Sequence, residues 1–110
     1  MRAGRLGDME QALRFIDENI TSPISLDEIA QSANMSRTYF CTVFKKLNGL
    51  SPWEYIGLKR IQMAKKLLET SSKSILEISL ECGFNNISHF NRAFKGATGR
   101  KPSEYRSKFK

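Results

Sequence analysis

Apolar residues recur along the chain with the spacing of amphipathic helices. Phe40, Val43, Phe44 and Leu47 occupy positions i, i+3, i+4 and i+7, which places them on one face of a helix. Phe90, Ala93, Phe94 and Ala97 repeat that arrangement later in the chain. No segment shows the period-two alternation of a strand. The pattern predicts an all-α fold of seven helices, at about 8–20, 26–33, 37–47, 52–70, 75–82, 86–97 and 102–108.

Capping signals mark where several of these helices begin and end. Ser25, Ser51 and Ser74 each start an S-x-x-E tetrapeptide, in which serine and glutamate side chains bond the first free amides of a helix. Gly49 and Gly99 each follow a periodic stretch and suit a left-handed helix stop. These signals support the predicted boundaries independently of the apolar spacing.

One pattern of roughly thirty residues occurs twice, and each copy reads as a helix-turn-helix. Ser25, Leu26, Glu28 and Ile29 recur 49 positions later as Ser74, Ile75, Glu77 and Ile78. The second half of the pattern recurs at an offset of 50, where Phe90, Phe94, Lys95, Gly99, Pro102, Glu104 and Tyr105 repeat Phe40, Phe44, Lys45, Gly49, Pro52, Glu54 and Tyr55. The one-residue slip falls between Met35 and Phe40, in or just after a turn, where an insertion is best tolerated.

The second helix of each copy carries a polar face opposite its phenylalanines. Short polar or basic side chains with hydrogen-bond donors, as found there, suit the major groove of DNA. A solvated helix face is the alternative for either helix alone, but two matched faces in one basic chain favour an interface. The two faces consist of Thr38, Cys41, Thr42 and Lys45, and of Ser88, Asn91, Arg92 and Lys95.

The helix at about 52–70 lies between the two copies. Its length of roughly 28 Å at 1.5 Å per residue is close to one turn of DNA, about 34 Å. A rigid helix of this length is expected to set the two recognition helices in successive major grooves. The organisation predicted is therefore a first helix-turn-helix at about 26–47, a linker helix, and a second helix-turn-helix at about 75–97.

Charge is distributed unevenly along the chain. Residues 1–36 carry three basic and six acidic side chains, whereas residues 37–110 carry 15 basic and five acidic ones. A basic surface of this size attracts polyanions by Coulomb steering and counterion release. A solubilising surface is the alternative on charge alone. Membrane-surface binding is disfavoured, because no helix pairs a basic face with a bare apolar face rich in tryptophan.

Length and composition indicate one small globular domain. The 110 residues suffice for one hydrophobic core and not for two independent ones. We expect a flexible lead-in over residues 1–7 and the folded domain over 8–110. No apolar run approaches a membrane span or a signal peptide.

The chain offers no constellation for catalysis or metal binding. His89 is the only histidine, and neither a nucleophile–base pair nor a glycine-rich phosphate loop accompanies it. Cys41 and Cys82 lie in separate copies without C-x-x-C spacing, so no metal, cofactor or enzymatic activity is expected. Two free thiols fit the reducing cytoplasm. Cys41 beside Lys45 could sense oxidants, although an ordinary helix cysteine is the simpler interpretation.

Residues 75–106, ILEISLECGFNNISHFNRAFKGATGRKPSEYR, resemble the C-terminal signature of the AraC/XylS family of bacterial transcription regulators. Residues 25–56, SLDEIAQSANMSRTYFCTVFKKLNGLSPWEYI, resemble the first helix-turn-helix of the same domain. The resemblance covers nearly all of residues 8–108. It implies seven helices with two helix-turn-helix subdomains, sequence-specific promoter binding and, commonly, contact with RNA polymerase.

The resemblance also implies which positions meet DNA. The expected base-reading residues are Thr38, Cys41 and Thr42 with Arg37 nearby, and Ser88, Asn91 and Arg92 with Ile87 and His89 nearby. The expected phosphate contacts are Ser36, Lys45, Lys46, Lys59, Asn86, Lys95 and Lys101.

Thr42 departs from the family pattern, since many relatives have arginine at this position, as this chain does at Arg92. Arginine is the usual bidentate partner of guanine, whereas threonine offers one weak hydrogen bond or a contact to a thymine methyl. The first subdomain is therefore expected to read bases weakly or through Arg37. A sequence-specific regulator of double-stranded promoter DNA is the predicted function, and this segment is expected to be monomeric on its own. A basic helical domain that binds an acidic protein is the alternative.

The basic half of the chain predicts a strong dependence of DNA affinity on salt. The logarithm of the association constant should fall with the logarithm of salt concentration at a slope of about −4 to −8, which corresponds to roughly five to nine neutralised phosphates. Titrations of a labelled duplex at several salt concentrations measure the slope. A slope near zero would rule out DNA as the partner of the basic surface.

Overall fold

The computed structural model describes residues 6–108, with side chains from residue 7 onward. These residues form seven α-helices and no strand, which confirms the predicted all-α class. Each boundary lies within two residues of its predicted position. The helices are α1 (Leu6–Glu18), α2 (Leu26–Ser32), α3 (Arg37–Asn48), α4 (Pro52–Thr70), α5 (Ile75–Glu81), α6 (Ile87–Thr98) and α7 (Pro102–Ser107).

The lead-in predicted over residues 1–7 extends two residues too far. Helix α1 begins at Leu6, so Leu6 and Gly7 are helical. The remainder of that segment, residues 1–5, lies outside the described residues. The acidic Asp8 sits in the first turn of α1, where it interacts favourably with the positive end of the helix dipole.

The chain divides into two compact units, and the boundary between them along the sequence lies between Ile56 and Gly57, within α4. Each unit contains its own cluster of buried apolar residues, whereas length alone predicts a single core. The repeat explains the difference, because each copy brings its own phenylalanine pair and its own first helix to pack against it. Units of this size lie near the lower limit for an independent core, so each depends on a few large side chains.

The core of the first unit forms around two phenylalanines of α3. Phe40 and Phe44 are both fully buried, and their ring centroids lie 5.5 Å apart. Ile29 of α2 and Ile56 of α4 belong to the same buried cluster. Tyr55 presents its ring edge-on to Phe44 at a centroid distance of 5.4 Å. This packing fixes which side of α3 faces inward.

The second unit repeats this packing with the equivalent residues. Phe90 and Phe94 of α6 are fully buried, 5.8 Å apart, in a cluster that includes Ile78 of α5 and Leu68 of α4. Tyr105 meets Phe94 edge-on at 5.4 Å, as Tyr55 meets Phe44. The two recognition helices are therefore held in the same rotational setting, each within its own unit.

The predicted apolar stripes end one turn earlier than the i+7 spacing suggests. Leu47 is 51% exposed and its counterpart Ala97 is also exposed, while Val43 and Ala93 are half-buried. The last turn of each helix extends past the residues that cover the core, so the i+7 position meets solvent. Burial on α3 and α6 is concentrated at the phenylalanine pairs.

All three predicted capping boxes form. At α5, the Glu77 amide donates to Ser74 Oγ at 3.0 Å and the Ser74 amide donates to Glu77 Oε1 at 2.8 Å. The reciprocal bonds are also present at α2 and at α4. Gly49 and Gly99 end α3 and α6 with φ of 77° and 81°, a left-handed conformation that glycine adopts without steric cost. Both predicted stops are confirmed.

The one-residue slip between the copies lies in the turn before the recognition helix. Asn34 and Gly83, offset by 49, hold the left-handed position of the two turns, with φ of 59° and 91°. Ser36 and Asn86, offset by 50, are the N-caps of α3 and α6. The extra residue of the second turn is therefore Asn85. Both helices still begin with a capped first turn, because the insertion precedes the cap.

The capping box of α5 predicts a specific loss of stability in acid. Hydrogen bonds from the backbone and then from the hydroxyl of Ser74 lower the pKa of Glu77 below its ordinary value of 4.5. The folded state then binds fewer protons than the unfolded state, so this contribution is complete at neutral pH and lost as the pH falls below about 4.5. Glutamine keeps the capping acceptor but does not titrate. The advantage of the parent over Glu77→Gln should therefore shrink between pH 7 and pH 3.

Thermal melts of the parent, Glu77→Gln and Glu10→Gln at both pH values measure this effect. Glu10→Gln controls for the loss of an exposed carboxylate on α1. An advantage over Glu77→Gln that is the same at both pH values would show that the carboxylate charge contributes nothing.

Candidate nucleic-acid interface

The outward side of α3 presents the residues predicted to read bases in the first unit. Arg37, Thr38 and Thr42 are exposed and Cys41 is half-buried, whereas Phe40 between them is fully buried. The buried phenylalanine therefore directs its neighbours on the opposite side of the helix away from the core.

The outward side of α6 presents the equivalent residues of the second unit. Ser88, Asn91 and Arg92 are exposed, as is His89. The His89 ring packs edge-on against Phe84 at a centroid distance of 5.4 Å, while Ile87 is half-buried. On α6, as on α3, exposed polar residues thus lie on the side of the helix away from a buried phenylalanine pair.

An open groove runs beside each recognition helix, at equivalent places in the two units. The first, of about 520 Å³, is lined by Cys41, Thr42, Lys45, Lys46 and Ser51. The second, of about 460 Å³, is lined by Ile75, Ile87, Asn91, Arg92, Lys95, Lys101, Pro102 and Ser103. Four of these positions correspond between the grooves at the offset of 50. In both units a lysine therefore lines the same groove as base-reading candidates.

Four lining residues were not among the predicted contacts: Ser51, Ile75, Pro102 and Ser103. Three of them lie at the start of the helix that follows a recognition helix. In the sequence, the signal for these three residues was their position two to four residues after Gly49 or Gly99.

The caps of the two recognition helices involve predicted phosphate contacts. The Tyr39 amide donates to Ser36 Oγ at 3.3 Å, and the His89 amide donates to Asn86 Oδ1 at 2.7 Å. Each side-chain oxygen is thus used as an acceptor within the protein. The Ser36 hydroxyl proton and the Asn86 NH₂ group are the donors that these caps leave for a phosphate.

Three cations outside the expected phosphate contacts interact within the second unit or are partly buried in it. Arg106 of α7 donates to the carbonyl oxygens of Leu68 at 3.4 Å and Ser71 at 3.2 Å, and so caps the end of α4. The Lys65 ammonium group lies 6.0 Å from the centroid of the Tyr105 ring. Burial lowers the pKa of Arg60. Lysines 45, 46, 95 and 101 are exposed and Lys59 is half-buried.

Two polar contacts restrict the side chains of the first recognition face. Thr42 Oγ1 donates to the Thr38 carbonyl oxygen at 3.2 Å, within α3 itself. The Arg37 guanidinium lies 3.9 Å from the Asp27 carboxylate, and both side chains are more than half exposed. An exposed pair at this distance contributes little stability, so Arg37 can leave Asp27 at small cost.

The two cysteines differ in accessibility. Cys41 is half-buried on α3, while Cys82 is fully buried in the core of the second unit. Burial, with a further contribution from Glu81, raises the pKa of the Cys82 thiol to about 11. Within residues 6–108, no group of three or more histidine, cysteine or acidic side chains is arranged to hold a metal ion. None of the helices described is both long and apolar enough to cross a membrane.

Comparison with known proteins identifies a family with this architecture. A family model described as a helix-turn-helix domain matches residues 29–108. The chain is 35% identical over 99 residues to the transcriptional regulator ArgR of Pseudomonas aeruginosa, covering 90% of this chain and 30% of that protein. The chain therefore spans about a third of the length of this relative, whose name is that of a transcription regulator and not of an enzyme.

Solved structures agree with this family. The DNA-binding domain of AdpA, crystallised with a target DNA, superposes with a TM-score of 0.88 at 27% identity, covering 93% of this chain and 92% of that one. A regulator with an AraC-type DNA-binding domain from Chromobacterium violaceum is 33% identical with a TM-score of 0.84, covering 96% and 95%. The chain belongs to the AraC-type helix-turn-helix family of DNA-binding transcription regulators.

Proposed function

We propose that this chain binds a promoter by placing α3 and α6 in two successive major grooves of one duplex. The observation that carries the proposal is that each unit presents its recognition face in the same setting. In both, a buried phenylalanine pair turns the polar residues outward, beside a groove that contains a lysine. The direct test is selection of bound sequences from random duplexes, which yields one preferred motif if the proposal is right and none if the binding is only electrostatic.

Phosphate contacts fix each helix in its groove in this proposal. Lys45, Lys46, Lys95 and Lys101 are exposed, and the capped first turns of α3 and α6 present amide groups at their positive ends. Ser36, Asn86 and Lys59 complete the set of phosphate contacts. We do not assign a DNA role to Arg106, because its guanidinium caps α4.

The chain carries both recognition helices itself, so a single copy suffices for a two-element site. We therefore propose that it binds as a monomer and that residues 8–110 act as the DNA-binding domain. RNA polymerase is the partner proposed for the bound regulator, in keeping with the family. Gel filtration and light scattering of the free chain and of its complex with the selected duplex test the stoichiometry, which should be one chain per duplex.

The spacing of the two DNA elements should be about 10 bp, centre to centre. In this proposal the spacing is set by α4, the helix from Pro52 to Thr70 that links the two recognition helices along the chain. Inserting 5 bp between the elements should abolish tight binding, because one element then faces the opposite side of the duplex. A 10 bp insertion is the control for changed length without changed phase. Full affinity after the 5 bp insertion would mean that one unit suffices or that the units move independently.

The two recognition faces should contribute unequally to specificity. Arg92→Ala should cost about 1–3 kcal/mol and relax the preference at one guanine, because a forked donor is lost. Thr42→Ala should cost less than about 1 kcal/mol, since the variant loses at most one neutral hydrogen bond or one methyl contact. Titrations on the selected site and on single-base variants measure both. A larger loss for Thr42→Ala would show that the first unit dominates recognition.

The rate at which Cys41 is chemically modified tests whether α3 contacts DNA. A maleimide at pH 8 should modify Cys41 in the native protein and leave Cys82, which is buried and only roughly one part in a thousand thiolate. The selected duplex should slow modification of Cys41 much more than a scrambled duplex at equal occupancy. Mass spectrometry of the labelled peptides measures both rates, and modification in denaturant controls for Cys82. An unchanged Cys41 rate at saturating DNA would place α3 outside the interface.

A further inference from the structure

The two recognition faces differ in hydrogen-bonding chemistry, and the difference is larger than the sequence alone indicates. On α3, Thr42 already donates its hydroxyl proton to the Thr38 carbonyl oxygen at 3.2 Å. A threonine bonded in this way keeps only its methyl group and its oxygen lone pairs for a ligand. Its neighbour Cys41 is half-buried and has a weakly donating thiol. The centre of this face is thus apolar and accepting.

The corresponding positions on α6 are rich in donors. Arg92 occupies the position of Thr42 and Asn91 that of Cys41, and both are exposed. A guanidinium offers five donors in a fixed fork, and an amide offers two donors and an acceptor. These groups match the acceptor pair of guanine and the donor–acceptor pair of adenine in the major groove.

A methyl group beside an acceptor matches a different base edge. Thymine is the only DNA base that presents a methyl group in the major groove, and adenine presents an amino donor in the same pair. Guanine, with two acceptors, would meet no donor at Thr42. We propose, building on the promoter-binding function above, that Thr42 reads an A·T pair through the thymine methyl, while Arg92 and Asn91 read purines by hydrogen bonds.

Arg37 and Lys45 are two cations on the same helix as Thr42. Arg37 begins α3 and lies beside Asp27, and Lys45 lies one turn beyond Cys41 in the groove. Each could approach a guanine at a neighbouring base pair. Neither replaces the contact at Thr42, so the inference concerns the base pair that faces this side chain.

The test uses the full chain and the site selected from random duplexes. The selection is repeated with the variant Arg92→Ala. The half of the site whose base preference relaxes is assigned to the second unit. In the other half, each thymine is replaced in turn by deoxyuridine, which removes the methyl and nothing else. The parent chain should lose about fourfold in affinity at one position, the factor for roughly 0.8 kcal/mol per buried carbon.

Two variants assign this methyl effect to Thr42. Thr42→Ser removes the side-chain methyl and keeps the hydroxyl, so it should bind the thymine and deoxyuridine duplexes equally. Thr42→Val keeps the shape and removes the hydroxyl, so it should discriminate between them as the parent does. Both changes lie at an exposed helix position, and thermal melts of each variant serve as the control for folding.

Two results would overturn the inference. The parent could be indifferent to every deoxyuridine in the first half, or Thr42→Ser could discriminate while Thr42→Val does not. In each case the protein still selects a motif, so the promoter-binding proposal stands. Failure of that proposal is recognised separately, by a selection that yields no motif.

Discussion

The burial of two phenylalanines, four residues apart on one helix, is the interaction on which each unit depends. Phe40 with Phe44, and Phe90 with Phe94, are fully buried, and each pair belongs to an apolar cluster that includes residues of other helices. Removing one such ring typically costs about 3–5 kcal/mol, a large share of the stability of a unit this small. Because an α-helix turns 100° per residue, burying this pair also determines which residues face outward. Stability and presentation of the recognition face are therefore set by the same contacts.

Local signals were sufficient to predict the helices. Capping boxes, left-handed glycines and 3.6-residue spacing depend on neighbours along the chain, and the boundaries they indicate agree with the structure to within two residues. Features that depend on distant neighbours were not predicted. The exposure of Leu47 and Ala97 depends on how far the covering helices extend, and the bonds from Arg106 to α4 join residues 35 and 38 positions apart. Helical spacing and the repeat indicate the two outward faces, whereas the assignment of base-reading positions on them comes from the family resemblance, and their contacts with DNA remain a proposal.

The duplication distinguishes the residues that both units require for folding from the residues that can differ between them. Phenylalanine, tyrosine, glycine and proline recur at the positions that build the core and end the helices. The candidate base-reading residues at the centre of each face differ: Thr42 corresponds to Arg92, and Cys41 to Asn91. Core packing limits substitution at the first group, because a small change in volume leaves a cavity or a clash. At the exposed positions the fold tolerates change, so two faces of different chemistry can occupy equivalent sites in the two units.

The most direct measurement is an NMR titration of the ¹⁵N-labelled chain, of 12.6 kDa, with the selected duplex and with a scrambled duplex of the same length. If both faces enter the major groove, the largest specific changes in amide shift will fall on α3 and α6, around Thr38, Thr42, Ser88 and Arg92. Helix α1, which carries much of the acidic charge, will change least. Specific changes confined to one unit, or centred on α1 and α2, would contradict two-helix recognition.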